Sequence, residues 1–75
     1  MAEIKYDIIE MISVLSEGSN GWKKEMNLIS WNDREPKYDI REWSEEHDKM
    51  RKGVTFTISE PLALKIALNE LPILD

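Results

Sequence analysis

Lys37, Asp39, Arg41 and Trp43 occupy alternate positions in the run Lys37-Tyr38-Asp39-Ile40-Arg41-Glu42-Trp43. In an extended strand such positions share one face, and Tyr38, Ile40 and Glu42 take the other. Two cations and an indole on one strand face suit single-stranded nucleic acid. Cations attract the phosphates, and a flat ring stacks on unpaired bases. The run lies within residues 31–53, between two polar loops that carry further basic groups.

Other side chains extend this candidate surface. Lys23, Lys24, Arg34, Lys37, Arg41, Lys49, Arg51 and Lys52 are basic groups able to track a phosphate backbone. The competing role for scattered charges is a solvated surface with cross-strand pairs to Glu25, Asp39 and Glu42. Arg41 stands apart because it shares a face with Lys37 and Trp43, where a guanidinium can grip phosphate or stack on a base. Asn27 alternates with Lys23 and Trp31 and joins the binding set. Two roles are open to Trp31 and Trp43, which lie on the more polar parities of their strands. They are stacking platforms worth about 1–3 kcal/mol per base, or they pack in the core. Trp22 alternates with Met26 and Leu28 and reads as core or dimer interface.

His47 is the single histidine, set among Glu45, Glu46 and Asp48. A loop position of this kind gives no geometry that aims several ligands at one point. No nucleophile–base–orienter set, phosphate-binding glycine loop or dinucleotide fingerprint is present. A non-enzymatic protein without metal or cofactor is expected.

The charge balance bears on the ligand. Ten Lys and Arg against fifteen Asp and Glu leave a formal charge of −5, unlike most nucleic-acid binders. The excess is not evenly spread. Residues 21–53 hold eight bases and eight acids, so the flanks carry the whole deficit. Local field governs docking of a polyanion more than net charge does. With 75 residues and no cysteine the chain is one small domain, 1–75, with no disulfide to staple it. Homodimerisation is the cheapest added source of stability. No apolar run approaches 18 residues, and Met1 to Lys5 lacks the layout of a signal peptide. The expected location is cytoplasmic, with nucleoid association compatible with it.

The elements that position these groups follow from the pattern. Residues 4–16 are rich in Ile and Val, and their apolar parity shifts twice, from Tyr6 and Ile8 to Ile9 and Met11, then to Ile12 and Val14. A long strand with a bulge or strong coil explains such shifts, although Ile8, Ile12 and Leu15 also fit a helical period. Glu17 to Gly21 is a loop. Residues 22–31 form a second strand, with the Met26 and Leu28 face expected on the core. Asn32 to Glu35 make a turn, Pro36 stands at a strand start, and residues 37–43 form the third strand. Ser44 to Lys52 read as a polar loop and Gly53 to Ile58 as a short fourth strand. Ser59 is the expected N-cap of a helix from Pro61 to Leu71, with Glu60 and Pro61 in its first turn. That helix is apolar nearly all round, so it needs cover on two sides. Its own sheet and the same helix of a second copy supply them. The fold class is α+β: a curved four-stranded antiparallel sheet, β-β-β-β-α, with the helix behind it.

The stretches GWKKEMNLISWN, EPKYDIREWS, HDKMRKGVT and the closing helix resemble the short bacterial branch of the positive cofactor 4 family, single-stranded-DNA-binding relatives of a eukaryotic transcriptional coactivator. The resemblance runs from about Tyr6 to Leu71. It implies a homodimer paired through the helices, with Leu64, Ala67, Leu68 and Leu71 at the interface, and two curved sheets offering grooves to unpaired strands. It matches Arg41 to a DNA-contacting arginine in an Ile-Arg-Glu motif, Trp31 to the region of a base-stacking aromatic, and Lys24 to a basic position. Trp43 takes the aromatic place after Arg-Glu, where the eukaryotic relatives tend to carry two aromatics and this chain has Ser44. Glu35 replaces a basic residue.

The expected function is a homodimeric single-stranded-DNA-binding protein of little sequence specificity, acting in transcription, replication or repair. Its expected binding residues are Lys23, Lys24, Asn27, Trp31, Arg34, Lys37, Arg41, Trp43 and Lys52. Two alternatives stand beside it. One is a protein-interaction module with partners in the transcription machinery, and the other is an RNA binder, since stacking does not tell the two nucleic acids apart.

Overall fold

The structure, a computed structural model, describes residues 4–72. Four strands, β1 (Tyr6–Glu17), β2 (Lys23–Trp31), β3 (Lys37–Trp43) and β4 (Met50–Thr55), precede one helix, α1 (Glu60–Asn69). The strands form one open antiparallel sheet in chain order, β1-β2-β3-β4. Each connection has its own turn chemistry. Between β1 and β2, Asn20 and Gly21 adopt positive φ (59° and 80°), and the Gly18 N–H donates to the Trp22 carbonyl at 2.7 Å. Between β2 and β3, Asn32 and Asp33 have φ of 50° and 61°, and the Arg34 N–H donates to the Trp31 carbonyl at 2.9 Å. Two consecutive positive-φ residues make the turn twist in the sense that the flanking strands need, and Asn and Asp tolerate that conformation best.

β1 carries the curvature. Its register against β2 slips between Ile8 and Glu10, between Met11 and Ser13, and between Val14 and Ser16. Ile9, Ile12 and Leu15 are the extra residues, which explains why the apolar parity of this segment shifts along the chain. Each bulge bends its strand and raises the local twist. The result is a deeply curled sheet. Register extended past the Ile29–Lys37 pair sets Trp31 level with position 35. On a flat sheet that would leave six positions, roughly 20 Å, between Trp31 and Arg41. Their side chains instead meet, with the guanidinium carbon 4.8 Å from the indole centroid.

Side chains distant in register touch on one face, so that face is the concave one. It carries Tyr6, Ile8, Glu25, Asn27, Ile29, Trp31, Asp39, Arg41 and Trp43. The fully buried Ile29, Trp43 and Asp39 (each 0% exposed) all lie there. The expectation that the Met26 and Leu28 face is the core is therefore reversed. Those two residues are half-buried on the convex face, while the polar parity is enclosed. Curling shields the concave side, and its charged groups satisfy one another across the curl.

The remaining corrections concern boundaries. β4 begins at Met50 and ends at Thr55, not Gly53 to Ile58, so the preceding loop is Ser44 to Lys49. Lys49 and Ser44 close that loop through their backbones at 3.0 Å, which lets pairing start earlier. α1 ends at Asn69, leaving Leu71 beyond it. Ser59 holds the N-cap position without a side-chain cap; the Glu60 carboxylate accepts instead from the Thr57 N–H at 2.8 Å. Pro61, Leu64 and Leu68 face Met26 across a shallow groove on the convex side. No helix residue is buried, and Leu62 and Ile66 are 65% and 53% exposed. Among the described residues no helix is long and apolar enough to cross a membrane.

β4 reaches its place only because residue 53 is glycine. A Cβ there would collide with the Arg41 Cβ and the Ile40 carbonyl oxygen. Overpacking of this kind costs about 1–3 kcal/mol. Gly53→Ala is expected to lower the unfolding free energy by that amount and so shift the urea midpoint down, and an unchanged midpoint would refute the close approach of β3 and β4.

Candidate nucleic-acid interface

Asp39 and Arg41 stand two residues apart on the concave face of β3. Arg41 Nε donates to Asp39 Oδ1 at 2.8 Å and Nη2 to Oδ2 at 2.9 Å, a bidentate pair. Asp39 is fully enclosed, while the Arg41 side chain keeps 15% exposure. Thr55, opposite Asp39 on β4, donates its hydroxyl to Oδ2 at 2.7 Å. Arg41 further reaches Thr55 Oγ1 and the Arg51 carbonyl, both at 3.4 Å. The guanidinium is thus locked in orientation and lies against the Trp31 ring. Such a pre-oriented cation beside an aromatic plane can receive a phosphate and its base together.

Aromatic rings continue the face. Tyr6 contacts Trp31 at 6.1 Å and Trp43 at 5.2 Å between centroids, and Trp43 contacts His47 at 5.8 Å. His47 has φ of 60° at the tip of the β3–β4 loop. Its carbonyl accepts the Tyr6 hydroxyl at 2.6 Å, and its Nε2 lies 2.9 and 3.0 Å from the two oxygens of Glu25. Glu25 Oε1 also accepts from Asn27 Nδ2 at 3.1 Å. The loop is therefore latched to both β1 and β2. Within it the Ser44 hydroxyl donates to Asp48 at 2.8 Å and holds that carboxyl below its ordinary range. This lowered value stabilises the loop above the usual carboxylate range, and the contribution is lost as pH falls through it. At the other end of the sheet Lys5 bonds Asp33 at 2.9 Å, which raises the lysine pKa.

Asn27, Trp31, Arg41 and Trp43 come together on the concave face, with Lys23 beside Trp43 and Lys37 beside Ile29 at its two ends. Lys24 is on the convex face opposite Glu42. Arg34 lies in the β2–β3 turn, its carbonyl accepting the Ser30 hydroxyl at 2.7 Å. Lys52 sits with Arg51 in a bulge facing Glu42. Three expected binding residues need correction, the first being Lys24, which faces away from the concave surface. Trp43 is fully buried between Tyr6 and His47, so its ring is a core piece with no face free for a base. Asn27 is 1% exposed, beneath the surface rather than on it. Trp22 is half-buried, and the Arg51 guanidinium covers its ring at 4.0 Å.

Tyr6, Glu25, His47 and Thr55 help build the face and were missed by sequence reasoning. Tyr6 and Glu25 carried a parity signal, whereas His47 and Thr55 enter through a loop latch and a β4 register that no local pattern reveals. Among the described residues no group of three or more His, Cys, Asp and Glu forms a metal site. Three buried side-chain polar atoms lack any hydrogen-bond partner among the described residues: Asn27 Oδ1, Trp31 Nε1 and Trp43 Nε1. All three belong to the concave face. Each such group costs about 1–3 kcal/mol until something satisfies it.

The chain is similar to known proteins over most of its length. The pattern of a family described as Transcriptional Coactivator p15 (PC4) matches residues 19–67. An uncharacterized protein of Treponema pallidum (strain Nichols) is 45% identical over 69 residues, covering 92% of this chain and 81% of that one. The matched span takes in β2, β3, β4 and most of α1, and so all of the Asp39–Arg41 pair and Trp31.

Removing the cation of an enclosed pair leaves its carboxylate uncompensated, at about 3–5 kcal/mol. Arg41→Met is expected to destabilise the fold by about 3 kcal/mol in urea denaturation, with Arg41→Lys intermediate. Loss of less than about 1 kcal/mol in Arg41→Met would show that Asp39 does not depend on this partner.

Proposed function

The chain belongs to the Transcriptional Coactivator p15 (PC4) family, and from that premise we propose that it binds single-stranded DNA on the concave face. The observation that carries this reading is the meeting of Arg41 and Trp31 beside the unsatisfied groups of the same face. A nucleotide strand supplies what this face can use: phosphate oxygens for its cations, and flat bases for the half-buried Trp31 and Tyr6. Lys23 and Lys37 at the two ends extend the cationic path, and Arg41 already neutralises the carboxylate beneath it. Stacking accepts any base, so specificity is low. The protein protects or presents unpaired strand in transcription, replication or repair, in the cytoplasm and without chemistry of its own.

Homodimerisation completes the proposal. Leu62 and Ile66 project from α1 into solvent, while Leu64 and Leu68 turn toward Met26. Of the interface residues expected from the sequence, Leu64 and Leu68 therefore share their contacts with the chain's own sheet. A second α1 would cover Leu62, Ile66 and Ala67, and two grooves carried by one body would bind a long strand with combined strength.

Titration with oligo-dT at low salt is expected to quench tryptophan fluorescence and to reverse as salt is raised. Trp31→Ala should weaken binding by about 1–3 kcal/mol, and it is a cleaner probe than Arg41, whose loss also strains the fold. Absence of quenching from folded protein sinks the reading, and tighter binding to oligo-U than oligo-dT would redirect it to RNA. Light scattering is expected to report twice the chain mass, reduced to the single-chain value in Leu62→Glu. A wild-type monomer at micromolar concentration would remove the dimer.

A further inference from the structure

A cavity of about 310 Å³ opens on the concave side between β1 and β2, lined by Met11, Ile12, Ser13, Val14, Glu25 and Asn27. Its size is at the lower end of the roughly 300–1,000 Å³ typical of small-ligand sites, which suits a single heterocycle. The β1 wall is mainly apolar, and the β2 side is polar. Asn27 has its Nδ2 engaged by Glu25, while its Oδ1 is buried and has no partner. Glu25 Oε1 already takes two contacts, from Asn27 and His47, but Oε2 takes only His47 at 3.0 Å. A carboxylate oxygen has room for two hydrogen bonds. Two residues that line the same largely apolar cavity therefore each keep an acceptor with spare capacity. Met11, the cross-strand partner of Asn27, is exposed and unbranched, so its side chain can move as a base enters the cavity.

A pair of adjacent acceptors discriminates among bases. Guanine presents two adjacent donors, N1–H and the N2 amine. Thymine offers one N–H between two carbonyls, and adenine and cytosine set one amine beside a ring acceptor, which a carboxylate repels. We propose that this cavity receives one guanine of the bound strand, with N1–H donating to Asn27 Oδ1 and the N2 amine to Glu25 Oε2. The inference rests on the concave face being the single-strand site; Asn27 is paired in register with Asp39, so the cavity adjoins the Arg41 centre. Stacking elsewhere remains tolerant, and the pocket adds a modest preference at one nucleotide.

The test titrates short oligo-dT strands carrying one central guanine, inosine or N1-methylguanine against the protein at low salt. The guanine strand is expected to bind roughly three- to tenfold tighter than oligo-dT, the yield of one or two net hydrogen bonds. Inosine, which keeps N1–H and lacks the amine, should fall between them, and N1-methylguanine should show no gain. Asn27→Leu should bring the guanine-to-thymine ratio to about one. Equal affinity for the guanine, N1-methylguanine and all-thymine strands overturns the pocket and leaves single-strand binding standing, as does a guanine preference that survives Asn27→Leu. Binding of no strand at all overturns the proposed function and the pocket with it. The base series needs no variant, so it decides the matter even where Asn27→Leu fails to fold.

Discussion

A carboxylate enclosed in a small protein must have a partner, and the partner of Asp39 organises this one. Burying an isolated charge costs several kcal/mol even after relaxation. Asp39 avoids that cost through two short bonds from Arg41 within β3 and one from Thr55, which ties the middle of β3 to β4. The arrangement requires β4 to pass close over Arg41, and Gly53 is what allows it. Once Arg41 is held this way, its guanidinium has a fixed plane, and Trp31 has something to lie against. The site cation is thus first a structural group, and its orientation toward a ligand follows from that role.

Curvature brings the partners within reach. Three bulges in β1 add Ile9, Ile12 and Leu15 to one strand without matching residues in β2, so the sheet must bend toward its concave side. The bend carries Tyr6 and Trp31 over β3, and the Tyr6–His47 and Glu25–His47 bonds latch the β3–β4 loop to the curl. The same bend explains the odd distribution of polarity. The concave face is roofed by its own far end, so Asp39, Asn27 and Glu25 become interior groups, Asp39 held by Arg41 and Thr55 and Glu25 by Asn27 and His47. The convex face has only α1 behind it, and that helix leaves apolar residues on its far side.

A protein this small keeps a narrow stability margin. Three unsatisfied polar atoms on one face are a substantial load for it. One of the three residues, Trp31, lies against the Arg41 guanidinium, which is where the proposed strand would reach this face. The proposed strand and the proposed second copy act on different faces, so each can stabilise the molecule without competing for the same groups.

The elements were largely legible in the chain: the interrupted parity of β1, the Asn32-Asp33 turn, the 37–43 strand and the apolar helix all follow from local chemistry that residues carry with them. The alternation of Lys37, Asp39, Arg41 and Trp43 likewise determined that these four share a face, because pleating is a property of any strand. Which face would be enclosed was not determined there. Polar content pointed outward for Trp43 and Asn27, yet both are interior, because burial depends on what the curl places above them. His47 looked idle for the same reason: its contacts with Glu25 and Tyr6 join residues 22 and 41 positions apart, and no local pattern encodes such a meeting. Short-range sterics and hydropathy act between neighbours in sequence and so decide elements and parity. The closing of a curved sheet on itself acts between residues far apart, and only the tertiary structure decides it.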